Sequence, residues 1–176
     1  MRCLQFYKII KPSFILILIY LLSFPCVQAE EVKDLKGYEV KFDYKGHSKE
    51  REIAYNYWMQ RYKDSEIRKE DIGIDLYDVS GDGKKEILTY LNSQGYCGTL
   101  GCSFSILKYN VESNIYNPIL FHGLTELTVN ENIKILSSST LNYHDIAFYE
   151  RYNPKPAIWR WDGENYHIIQ RSRENI

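Results

Sequence analysis

Residues Ile72–Asn92 read "IGIDLYDVSGDGKKEILTYLN". Ile72, Ile74 and Leu76 alternate with Gly73, Asp75 and Tyr77, the period-two pattern of a strand with one buried face. "EILTYLN", Glu86–Asn92, is a second β-rich run. Between them, "DVSGDGKKE" puts oxygen-bearing side chains at alternate positions from Asp78 to Asp82, with Gly81 and Gly83 among them. The stretch therefore predicts strand, sharp acidic turn, strand. It sets the expectation for most of the chain that follows.

Downstream, "SFSILKYN", "NPILFHG", "ELTV", "IKILSSS" and "IAFYERY" are further strand candidates. The connections "NVESN", "NENIK" and "YNPKP" carry the Asn and Pro of turns. The last run, "AIWRWDGENYHII", reads as a hairpin turning at Asp162-Gly163. Upstream, one amphipathic helix is predicted from Ser48 to Arg61. Ser48 is its expected N-cap, Glu50 and Glu52 lie in its first turn, and Ile53, Ala54, Tyr57, Trp58 and Tyr62 form an apolar stripe. The expected fold class is α+β: an N-terminal helix packed on a mostly antiparallel, meandering sheet.

The first 29 residues belong to a different pattern. Arg2, Lys8 and Lys11 precede the apolar run "FILILIYLLSF", and "PCVQA" follows with small residues at Val27 and Ala29. This is the layout of a secretory signal peptide cleaved after Ala29. The run is shorter than the roughly 20 residues of a membrane span. Phe24 and Pro25 before Cys26 make a poor lipoprotein signal. The expected mature chain, 30–176, is one globular domain, with no transmembrane anchor after cleavage. Its 19 Lys and Arg, out of 22 in the whole chain, face 23 Asp and Glu, a net charge of about −4 that disfavours a nucleic-acid surface. A periplasmic or secreted location follows from the signal.

Of the four cysteines, Cys97 and Cys102 remain after cleavage. In "GYCGTLGCSF" they read as a disulfide closing a small ring, as suits an oxidising compartment. A redox pair would be C-x-x-C with a helix following, and zinc would need two more ligands.

Calcium prefers hard oxygens on a tightly turned backbone. Asp78, Ser80 and Asp82 take positions one, three and five, Gly83 six, the Lys84 carbonyl seven and Glu86 nine. Position twelve is Thr89, not the bidentate Glu of an EF-hand, and both flanks are strands. The loop resembles the Asp-rich turns of FG-GAP and VCBS-type repeats. That resemblance implies Asp78, Ser80, Asp82, Lys84 and Glu86 as calcium ligands, with calcium bracing the fold. One copy implies a calcium-type turn and not a propeller. A metal-free turn remains the alternative, since Asp and Ser cap turns through nearby amides. The pairing of a GDGKKE-type loop, one strand and CGxxGC also resembles a loose group of small exported bacterial proteins, over Ile72–Tyr109.

No nucleophile elbow, zincin motif, P-loop or dinucleotide fingerprint occurs. His144 and Asp145 are adjacent, and neighbours in a strand point to opposite faces. Glu150 has Phe148, not a carboxylate, two residues before it. His47, His122 and His167 are scattered. Trp159, Trp161 and Tyr166 form either a binding platform, if exposed, or part of the core. The leading expectation is a non-enzymatic exported binding protein with an envelope or secreted protein partner, such as an immunity protein or an inhibitor of a toxin or cell-wall hydrolase. The alternatives are a calcium-dependent envelope hydrolase and a structural envelope component.

Overall fold

A computed structural model describes residues 35–63, 66–93, 95–98, 101–122, 132–149 and 155–170. The expected signal peptide, the "ELTV" segment and Glu150 lie outside the described residues. The elements are β1 (Gly37–Glu39), α1 (Ser48–Arg61), β2 (Ile72–Tyr77), β3 (Glu86–Leu91), β4 (Cys97–Gly98), β5 (Gly101–Asn110), β6 (Ile115–His122), β7 (Ile133–Thr140), β8 (Tyr143–Phe148), β9 (Ala157–Trp161) and β10 (Tyr166–Gln170). A 3-10 turn at Lys69–Asp71 leads into β2. Among the described residues no helix is long and apolar enough to cross a membrane.

The fold is α+β, and its antiparallel strands are divided between two sheets. In sheet I, β2, β3 and β5 run in order, and β4 and β6 both pair with β5. Sheet II has the order β1-β7-β8-β9-β10. Strand alternation explains the layers. One face of sheet I turns Leu88, Tyr90, Phe104, Ile106 and Leu120 into the same buried cluster as Ile133, Ile135, Ile146, Phe148, Trp159 and Trp161 of sheet II. The other face turns Ile72, Ile74, Ile87, Leu91 and Leu107 toward Ala54 and Trp58 of α1. Burying each such large apolar side chain contributes roughly 1.5–3 kcal/mol before chain entropy is counted.

The helix occupies the predicted residues, and its N-terminus differs from expectation. His47 is the N-cap, with φ 53°, and Ser48 is already helical. The Asp43 carboxylate takes the Lys45 and Gly46 amides, so the chain enters the helix from a side-chain-closed turn and not from a serine cap. Its buried side also contains Arg51, which donates to the Ile72 carbonyl from Nε at 3.1 Å and to the Asp43 carbonyl from Nη2 at 2.8 Å. The helix aromatics meet a row of strand hydroxyls. Trp58 Nε1 donates to Thr89 Oγ1 at 3.0 Å, Tyr62 pairs with Ser103 at 2.9 Å, and the Tyr57 and Ser105 hydroxyls pair at 3.1 Å. These bonds fix how α1 lies across β3 and β5, because apolar contact alone is not directional.

At one edge the sheets are tied by Asp75 of β2. Its carboxylate accepts from the Tyr38 hydroxyl at 2.9 Å and the Lys41 amide at 2.7 Å. Burial first, and the Asp75 bond next, push the Tyr38 phenol up to about 12. Pro118 sits in β6 where the β5–β6 register shifts, the irregularity that lets a strand accept a residue with no N–H to give.

Candidate functional site

Antiparallel pairing brings four hairpin turns to one end of the two sheets: 78–85 between β2 and β3, 111–114 between β5 and β6, 141–142 between β7 and β8, and 162–165 between β9 and β10. The His144 amide donates to the Val79 carbonyl at 2.8 Å, joining the acidic loop to the β7–β8 turn. Gly81 lies so close to that turn that a Cβ there would stand 2.7 Å from the Asn142 carbonyl oxygen, and its φ is +66°. Both facts require glycine at this position.

Within the acidic loop, the structure brings Asp78, Ser80, Asp82 and Glu86 together as predicted. Oxygens of the three carboxylates lie within 4.8 Å of one another, close enough to share one cation. Asp78 accepts from the Asp82 amide at 3.2 Å and the Gly83 amide at 2.8 Å. Asp82 Oδ1 accepts from the Lys84 amide at 2.9 Å. Buried Glu86 accepts from the Val79 amide at 2.7 Å and the Ser80 hydroxyl at 2.7 Å. The cation among them is the ammonium of Lys108, from the neighbouring strand β5. It reaches Asp82 Oδ2 at 2.8 Å and Glu86 Oε1 at 3.3 Å, bonds the Ser80 hydroxyl, and stands 5.3 Å from the Tyr143 ring centroid. The Lys108 bond first, and the Lys84 amide next, hold the Asp82 carboxyl below its usual range. Desolvation acts to lower the Lys108 pKa, but the Asp82 bond and the Glu86 charge outweigh it and the group sits above the usual lysine value. Three of the five predicted ligands, Ser80, Asp82 and Glu86, thus bond the Lys108 ammonium.

Sequence reasoning missed Lys108 because it lies 26 residues beyond Asp82. Only the pairing of Ile87 with Leu107 brings it alongside Glu86. The acidic loop and the cysteine loop do fall at opposite ends of β3.

Cys97 and Cys102 form a disulfide and are a directly paired couple of β4 and β5. Replacing both by serine is expected to cost about 2 kcal/mol through the lost constraint on the unfolded chain, checked by the fall in the urea denaturation midpoint with an m-value no smaller than the wild type's.

Trp159, Trp161 and Tyr166 are buried in the cluster between the sheets. Trp161 and Tyr166 are direct cross-strand partners with ring centroids 5.4 Å apart, and Tyr143 stacks on Trp161 at 4.3 Å. Their reading as a solvent-facing platform gives way to a core role, since β9 and β10 turn this face toward sheet I. His144 and Asp145 diverge. His144 Nδ1 lies 2.7 Å from the Leu136 carbonyl, and its ring meets Tyr77 edge-on. Asp145 is held by Arg160 and Ser138.

The large exposed apolar side chains among the described residues all sit at or beside the turn end: Tyr109, Val111 at 67 %, Ile115 at 54 % and Leu141 at 64 %. Leu141 and Asn142 have φ of 53° and 69°, the double positive φ of a type I′ hairpin turn. Asparagine suits that turn and leucine does not. The short step from "SSST" to "YHDI" through Leu141-Asn142 was the available signal. No family model, no curated protein and no solved structure matches this chain.

Proposed function

We propose that this chain is an exported, non-enzymatic binding protein that captures an envelope or secreted protein through the turn end of its two sheets. An immunity protein, or an inhibitor of a toxin or cell-wall hydrolase, is the concrete form. The observation that carries the reading is Leu141. It is exposed and apolar, and it occupies a left-handed backbone position that costs a residue with a Cβ about 1–2 kcal/mol. Leu141 Cδ1 lies beside Gly163 of the β9–β10 turn, but asparagine or glycine would serve the backbone of its own turn better. Strained backbone and exposed apolar surface at one position point to recognition. Val111 and Ile115 extend the apolar surface on the β5–β6 turn, and the rigid sheets hold these turns as a scaffold holds binding loops.

Leu141→Asn is expected to raise stability by about 0.5–1 kcal/mol while weakening partner capture. The test is crosslinking and pull-down from periplasmic extract with the mature chain, alongside Leu141→Asn and Val111→Ser. A partner held by the wild type and released by both variants supports the reading. Capture that ignores both substitutions, or no partner in repeated trials, counts against it.

A further inference from the structure

We propose that Lys108 is the resident cation of the 78–85 loop, a tethered ammonium that takes the bracing role of a divalent ion and leaves the loop independent of calcium. The inference rests on the loop geometry alone and stands or falls apart from the binding reading above.

An ammonium has three N–H donors. Lys108 finds three oxygen acceptors around it: Asp82 Oδ2 at 2.8 Å, Glu86 Oε1 at 3.3 Å and the Ser80 hydroxyl. The three belong to the set that the loop pattern assigns to a metal. Calcium would need about six to eight oxygens at roughly 2.3–2.6 Å. To reach Ser80, Asp82 and Glu86 it would have to expel a positive charge already bonded to all three, against like-charge repulsion at close range.

The position of Lys108 is set by the fold. It follows Leu107, whose partner across the ladder is Ile87, and Ile87 follows Glu86. On its other side Lys108 pairs with Asn117 of β6. The side chain therefore rises beside the loop from a strand held on both sides, and no free ion needs to be captured. The same ammonium faces Tyr143 of sheet II. It joins the acidic loop to both sheets at the end where the turns meet, as a bound metal would.

Removing the amine while keeping the stem should leave an uncompensated trio of carboxylates, Asp78, Asp82 and Glu86, at a spacing that one cation can bridge. The experiment is thermal unfolding of the mature protein in EDTA and in millimolar calcium, with calcium calorimetry, on wild type, Lys108→Met and Lys108→Met/Asp82→Asn. The wild type should unfold at the same temperature in both buffers and give no calcium heat. Lys108→Met should unfold at a lower temperature in EDTA, recover in calcium, and show a binding heat that the added Asp82→Asn abolishes. Calcium-dependent stabilisation of the wild type would overturn the proposal, because the metal would then displace the lysine. So would a Lys108→Met protein as stable in EDTA as the wild type, or one that calcium fails to rescue. The wild-type measurement decides the central claim even if Lys108→Met does not fold.

Discussion

Phe104→Ala is expected to lower stability by about 3–5 kcal/mol, a large part of what a domain of this size has in total. Phe104 is fully buried on the inner face of β5, opposite Tyr90 across the ladder. Its ring stands 6.1 Å from Phe42 and 5.7 Å from Phe148, both edge-on, so it touches both sides of the space between the sheets. Truncation to alanine removes the transfer energy of the ring and leaves a cavity that two hydrogen-bonded sheets cannot close. The fall in Tm should be roughly 10–20 °C. Val111→Ala, in the exposed turn that follows β5, should change stability by no more than about 0.5 kcal/mol. Comparable losses for the two variants would mean that the two sheets do not share a core at Phe104.

Asp145→Ala is expected to cost about 3 kcal/mol, the lower end of the range for breaking a buried ion pair. Asp145 is fully buried. Arg160 grips it with a two-pronged contact, Nε to Oδ1 at 3.0 Å and Nη2 to Oδ2 at 2.8 Å, and the Ser138 hydroxyl adds a third bond at 2.8 Å. Removing the carboxylate takes two hydrogen bonds from the guanidinium and one from the Ser138 hydroxyl. Arg160 is 32 % exposed and can regain some water, which is why the low end applies. A double-mutant cycle with Arg160→Ala should show strong coupling, since neither residue keeps the partner that made its burial tolerable. Replacing the pair by Leu and Met should be close to neutral, the outcome that separates a pair needed for stability from one whose halves merely need each other. Absence of coupling would remove Asp145 from the account of how β8 and β9 are joined.

The two large predictions differ in how legible they were. Phe104 could be marked as core from the alternation in "SFSILKYN" alone. Asp145 could not, because a β-bulge in β7, between Ile135 and Ser139, is what brings Ser138 opposite its carboxylate. Similarly, the helix limits, the Asp162-Gly163 hairpin and the disulfide were visible in the order of residues, since each depends on neighbours within a few positions. The N-cap was misread at Ser48 because Asp43 closes the preceding turn with its side chain, an option that cap preferences do not weigh.

What the order of residues determined by itself was local: one helix, alternating strands, a glycine-rich acidic bend and a short sulfur bridge. These follow from backbone geometry and near-neighbour chemistry. Tertiary structure alone decided which strands share a sheet, that Trp159, Trp161 and Tyr166 face inward, and that the acidic bend already holds a cation. The reason is physical. Sheet pairing and charge compensation join residues far apart in the chain, and which lysine meets which carboxylate depends on strand register, a quantity that exists only once the strands have paired.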